Sequence, residues 1–303
     1  RGVDVVSDGD FQLALLLSYG LSYGEIIEAD ERWEWHPGQV AVRTTIEEVF
    51  EKQLRQRIGV RPLPDPGAES VASYLFALTA EDAGPSLARY IAKKATKEQA
   101  IEFVMQRSIY TLKEADPHSW AIPRLTGRPK AALVEVQSDE YGAGRPERMH
   151  AAIFAQTMRG VGLDDTYGAY LDRVPAITLV SFNMMSMFGL NFRLRGAIVG
   201  HLAAFEMTSS IPNRLYGDGF RRLGYDRNVT LYYDEHVEAD AVHEQIAGRD
   251  LAGALAESQP RLLPDIIFGA RSCLYIDGLV GRGMLESWQA DRSSLRPAEP
   301  VPA

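Results

Sequence analysis

The chain has 303 residues, enough for one large helical domain with a deep core and too few to suggest several. Its 41 acidic and 32 basic residues give a formal net charge of -9 and a pI of about 5.3. The basic surface that would neutralise nucleic-acid phosphates or meet an anionic membrane is therefore missing, and neither is expected as a partner. A single cysteine, Cys273, rules out an internal disulfide and is expected as an ordinary buried thiol, so His, Asp and Glu are left to hold any metal. The sequence opens on Arg1 rather than Met, as expected of a trimmed or unobserved N-terminus. The apolar run nearest the start, residues 11–17, falls far below the roughly 20 residues that span a bilayer and lacks the flanks of a signal peptide. A soluble, cytoplasmic protein is expected.

Apolar positions recur at helical spacing almost throughout, without sustained apolar–polar alternation, which predicts an all-α fold in a single domain over 1–303. Residues 1–44 read as an N-terminal extension, and 28–44, with Trp33, Trp35 and Val40 to Val42, as the one place for a small hairpin. Helices are predicted over 46–58, stopped by Gly59 and a Pro-rich segment, then over 69–78, 87–94 and 97–115, the last stopped by Asp116-Pro117. A helix over 130–141 breaks at Gly142 and Gly144, and Pro146 suits the first turn of another running to about residue 159. Two largely buried helices are predicted over 179–190 and 193–208, with Pro212 beyond the second. A long helix over 228–248 carries charges and histidines, 261–286 supplies one or two more, and the Pro-rich tail after 290 reads as loose.

Within the 228–248 helix, His236, Asp240 and His243 fall at i, i+4 and i+7, one stripe of the helix. Two imidazoles and a carboxylate without a thiolate suit iron or manganese better than structural zinc, although such a face is also what a solvated helix shows. A second group is Glu147 and His150 at i, i+3 in the helix opened by Pro146, the ExxH spacing by which helical diiron proteins present a carboxylate and an imidazole. Glu140 lies seven residues before Glu147, across the two glycines, so a kink or unwound turn is needed to bring it alongside. Glu114 ends a stripe with Phe103 and Tyr110 on the 97–115 helix; it either faces water or is a buried carboxylate compensated by a metal. A ferritin-like bundle would use a Glu-plus-ExxH pair twice, whereas here HxxxDxxH replaces the second half.

This set, together with the runs LKEADPHSWAIPRLTGRPKAALVEVQSDEYGAGRPERMH (112–150) and LYYDEHVEADAVHEQIAG (231–248), resembles the heme-oxygenase-like diiron oxidases and oxygenases, the iron-containing redox enzymes. The resemblance implies a heme-oxygenase-like helical bundle with three ligand-bearing core helices. Glu114 would come from the first, Glu147 and His150 from the second, and His236, Asp240 and His243 from the third. Glu140 matches an additional carboxylate of the N-oxygenating members that relatives desaturating or fragmenting carbon chains lack. The implied cofactors are two Fe ions cycling between ferrous and ferric, with dioxygen as co-substrate, an external electron donor or reductase, and no heme. The favoured activity is N-oxygenation of an amine or guanidine-like nitrogen of a small amino-acid-derived substrate in natural-product biosynthesis. The alternatives are a diiron oxidase performing desaturation, C–C cleavage or cyclisation of an amino acid or fatty acid, and an iron-storing or structural helical protein. The sequence leaves a homodimer open.

The remaining candidates carry less. Tyr141 and Tyr233 flank proposed ligands and could edge a substrate pocket. Phe182 and Met185 read as core or pocket lining, and Arg214 as a clamp for a substrate carboxylate or a surface ion-pair partner. His36 and His118 adjoin prolines and are expected in loops, and His201 in the core or beside the ligands.

Overall fold

The computed structural model describes residues 4–24, 28–81 and 84–297, apart from the side chains of 238–241. The first helix, α1 (Gly9–Tyr23), is opened by Asp8, whose carboxylate accepts the Phe11 N–H at 2.8 Å. It is part of the core rather than an appendage: Leu15, Leu16 and Tyr19 are buried. Gln12 accepts both 2.8 Å hydrogen bonds of Asn183 from α9 (Ala176–Leu190). The hairpin expected over 28–44 is absent. In its place stand a 3-10 turn, Glu31–Trp35, and the start of α2 (Pro37–Ile58). Two local choices decide this: the Asp30 carboxylate caps the turn, and His36 accepts the Gly38 N–H while Pro37 takes the first helical position. No strand occurs among the described residues.

The chain continues through α3 (Ala68–Thr79), α4 (Leu87–Lys93), α5 (Lys97–Thr111), α6 (Asp116–Ser119), α7 (Gly127–Glu140) and α8 (His150–Gly160). A full capping box starts α5, with Thr96 and Gln99 each bonding the other's backbone N–H. After α9 comes the longest helix, α10 (Arg195–Arg222), then α11 (Arg227–Gln245), a π-helical segment (Ile246–Gly253), α12 (Ala254–Ser258) and α13 (Leu263–Gln289). The expected stop of α10 before Pro212 does not occur; the helix runs through this proline. Proline removes one backbone hydrogen bond and crowds the preceding turn, a loss that α10 absorbs because it is clamped along its length by α13, α11 and α4. The clamp on α13 is backbone-close: a Cβ at Gly200 would collide with the Ile266 carbonyl, and one at Gly269 with that of Ala197.

The tail expected to be loose is held over its described part. Ser294 donates its N–H and Oγ–H to Glu102 at 2.8 Å, and its Oγ accepts from Gln106 at 2.8 Å. No described helix is long and apolar enough to cross a membrane. Cys273 is buried, as expected.

Candidate metal centre

The ends of helices, more than their middles, deliver the site. Helix α5 closes at Thr111, and Glu114 sits in the following turn, which Ala115 completes in the left-handed region at φ +74°. Glu140 is the last residue of α7. There Gly142 takes φ +66°, and a Cβ on it would lie 2.6 Å from the Arg148 carbonyl carbon, so only glycine lets the two strands of this loop pass. The loop folds back through a 3-10 turn, Pro146–Arg148, and an extended Met149, so that α8 opens on His150. The break in the sequence therefore brings Glu140 beside His150, not beside Glu147. Because Met149 is extended, Glu147 and His150 do not share a helix; Glu147 is exposed in the turn and stands outside the cluster.

The structure gathers Glu114, Glu140, His150 and His236 so that one donor atom of each lies within 4.8 Å of the others, and Glu140 with Glu206 and His243 in the same way. All six side chains are between 1% and 8% exposed. His150 Nδ1 stands 2.9 Å from Glu140 Oε2, His236 Nε2 3.6 Å from Glu114 Oε1, and His243 Nδ1 3.4 Å from Glu206 Oε2. Partners outside the cluster fix the rings. His236 donates Nδ1–H to the Tyr232 carbonyl at 2.7 Å, which turns Nε2 to the centre, and His243 donates Nε2–H to Asp139 at 3.0 Å, which turns Nδ1 there. Tyr232 donates to the Glu114 carboxylate, 2.8 Å from either oxygen. Asp240 lies in α11 between His236 and His243, and its side chain is outside the described residues.

Glu140 Oε2, His150 Nδ1 and His243 Nδ1 are buried with no hydrogen-bond partner, since the close pairs lack hydrogen-bond alignment. His150 belongs to the first donor group, His243 to the second and Glu140 to both; buried polar atoms left without a partner are costly unless a cation satisfies them. The oxygen and imidazole set, free of thiolate, is what iron takes. The charges are strongly interdependent: burial pushes the Glu140 carboxyl up, but His150 and then His236 and His243 outweigh it and hold it at about 2. Burial works against charging His243, yet Glu206, Asp139 and Glu140 raise it to about 9. Glu206 itself is raised by burial, with His243 pulling the other way.

Glu206 and Tyr232 were missed by sequence reasoning. Glu206 had a signal, being the one acidic residue in the buried run 196–210. The other expected neighbours fall elsewhere. Tyr141 closes α7 and donates to Asp116 at 2.8 Å, bracing the end of the helix that carries Glu140. Tyr233 is buried and stacks on Phe220 at 5.2 Å; Tyr232 touches the cluster instead. Phe182 and Met185 are core, Phe182 against Tyr23, and Arg214 is exposed on α10. His36 caps α2. His118, expected in a loop, is buried in α6, its Nε2 3.1 Å from Nδ1 of His201.

The profile of the family described as iron-containing redox enzymes matches residues 101–278. Among characterised proteins, the nitrosourea synthase of Streptomyces achromogenes subsp. streptozoticus is 27% identical over 206 residues, 67% of this chain and 44% of that protein. The chain thus matches less than half the length of this relative. Two crystal structures of a CADD-like protein of unknown function from Nostoc punctiforme PCC 73102 share the fold. One has a TM-score of 0.56 at 16% identity, covering 72% of this chain and 97% of that one. The other has a TM-score of 0.55 at 15% identity, covering 74% and 96%. With more than half of its length matched by the profile, and a buried carboxylate and imidazole cluster inside the matched region, the chain belongs to the iron-containing redox enzyme family.

Proposed function

We propose that this chain is a non-heme diiron oxygenase that transfers oxygen from dioxygen to an amine or guanidine-like nitrogen of a small amino-acid-derived molecule, with electrons restored by an external donor. The observation that carries the reading is the pair of donor sets joined at Glu140: Glu114, His150 and His236 on one side, Glu206 and His243 on the other. Glu140 with the residues of the two sets would hold two cations close together, the arrangement on which two-metal chemistry rests. Bound ferrous iron supplies the electrons for dioxygen activation. Nitrogen as the target is supported by the likeness to a nitrosourea synthase and by the presence of Glu140, the carboxylate that the N-oxygenating pattern adds.

The protein's own part is to orient and to exclude. The Tyr232 carbonyl and Asp139 lock the two imidazole tautomers, and the Tyr232 hydroxyl holds the Glu114 carboxylate in one rotamer. The cavity against Glu114, Glu140, Glu206 and His236 measures about 10 Å³, at the edge of the room needed for one water, so bulk water is kept from the donors.

Anaerobic titration with ferrous iron should load two ions per chain, and fewer in Glu140→Ala. Mixing the loaded protein with oxygenated buffer and amine- or guanidine-bearing amino acids should give substrate-dependent oxygen uptake and a product one oxygen heavier at nitrogen by mass spectrometry. Saturation at one iron would sink the two-metal reading. Products oxidised only at carbon would move the chain to desaturation or C–C cleavage.

A further inference from the structure

Away from the metal centre, a cavity of about 580 Å³ opens between α4, α5, α10 and α13, within the size range that encloses a small organic ligand. Its apolar wall includes Phe103, Tyr216, Leu274 and Met284. Among the described residues its charged wall is one-sided: six arginines against two carboxylates, Glu81 and Asp277, in a chain whose net charge is -9. The acids offset it only in part: Arg61 pairs with Glu81 at 2.9 Å, Arg57 with Asp4, and Arg107 stands 4.0 Å from Asp277, which leaves Arg89, Arg271 and Arg282 without a carboxylate within 4 Å among the described residues. Arg271 is held in place by the carbonyls of Ile58 and Gly59. Arg107, 29% exposed, keeps its charge although burial works against it, because Asp277 is near.

The cavity is distinct from the metal centre. On α5, Phe103 and Arg107 line this cavity, whereas Tyr110, seven residues or about 10 Å beyond Phe103 at the helical rise, and Glu114, past the end of the helix, line the metal cluster. On α10, Thr208 and Leu215 face the cavity, whereas Glu206 and Ser209 face the metal cluster.

We propose that this cavity is a binding site for a small organic anion, an apolar or aromatic body ending in a carboxylate or phosphate that Arg107 and Arg282 receive. Guanidinium groups in a half-enclosed, partly apolar site suit both oxyanions through paired N–H donors. This inference does not depend on the two-iron reading.

The test uses the full chain and 1-anilinonaphthalene-8-sulfonate, an aromatic anion whose fluorescence reports binding. One saturable site per chain is expected, displaced by 4-phenylbutanoate or 4-phenylbutyl phosphate and not by the neutral 4-phenylbutanamide; the stronger of the two competitors tells which oxyanion the site prefers. The Arg107→Gln/Arg282→Gln pair should weaken dye affinity at least tenfold with ferrous iron loading unchanged, and the Arg107→Lys/Arg282→Lys pair should recover it to within a few-fold. Full affinity in the Gln pair, equal displacement by the amide, a Lys pair as weak as the Gln pair, or no saturable site would each overturn the proposal.

Discussion

Glu206 illustrates how a single carboxylate gains meaning from what faces it. In the middle of α10, buried, it meets His243 Nδ1 at 3.4 Å, and it completes the donor set opposite Glu114, His150 and His236. Glu206→Gln keeps the shape and removes the charge. Iron titration should show ferrous iron bound more weakly by about ten-fold or more, on the two-iron proposal at one of the two sites, the scale on which loss of a supporting group loosens a metal; unchanged iron affinity would remove Glu206 from the proposed ligand set. The neighbouring His118–His201 pair makes a separate prediction about pH. Both imidazoles are fully buried, and burial lowers His118 to about 4 and His201 well below its ordinary value. The unfolded chain takes up these protons near pH 6.5 and the folded chain does not. The stability of the neutral pair is therefore complete above about pH 6.5 and is lost as pH falls toward 4. Thermal melts across that interval should fall less steeply for His118→Gln than for the natural chain; parallel curves would show that the pair does not govern acid lability.

At the scale of elements, two glycines separate folding from function. Gly142 permits the hairpin that sets His150 beside Glu140, and alanine there meets both a positive φ, at roughly 1–2 kcal/mol, and the Arg148 backbone. Gly142→Ala should therefore leave helix content near normal by circular dichroism while lowering iron affinity, because α7 and α8 can each persist with their ends displaced. Gly200 sits where α10 and α13 touch backbone to backbone. Gly200→Ala forces these helices apart, an overpacking cost of about 1–3 kcal/mol or more, which calorimetry should read as a fall in Tm of several degrees; an unchanged Tm would mean the contact yields freely. The helix carrying His236 and His243 passes into eight π-helical residues, Ile246–Gly253. Such segments concentrate at functional sites, and this one packs against α3 and α7, the helix that ends in Glu140.

For the molecule as a whole, three buried carboxylates and three buried imidazoles meet in one centre, and a bound cation stabilises the folded chain by mass action. Ferrous iron at about 100 times its Kd should contribute about 2.7 kcal/mol per site, raising Tm by ~5 °C; chelation should reverse the shift, and a Tm indifferent to iron would mean the centre is not a binding site. The sequence by itself determined the helical class, since apolar spacing of 3.6 is a local property. It also determined most helix limits, because caps such as Thr96 with Gln99, and stops such as Gly59, act within one turn. It pointed to the region of the site, because an imidazole pair on one helix stripe and a carboxylate before a glycine break are visible along the chain. Which carboxylates join the centre was decided only in three dimensions. Glu147 keeps good local spacing to His150 but is turned outward by the extended Met149, while Glu206, far along the chain, arrives because α10 packs against α11. Pro212 stays inside α10, and residues 37–44 fold as helix rather than hairpin, for the same reason: a helix end or a broken hydrogen bond is settled by the neighbours that bury or cap it, and these are set by tertiary structure.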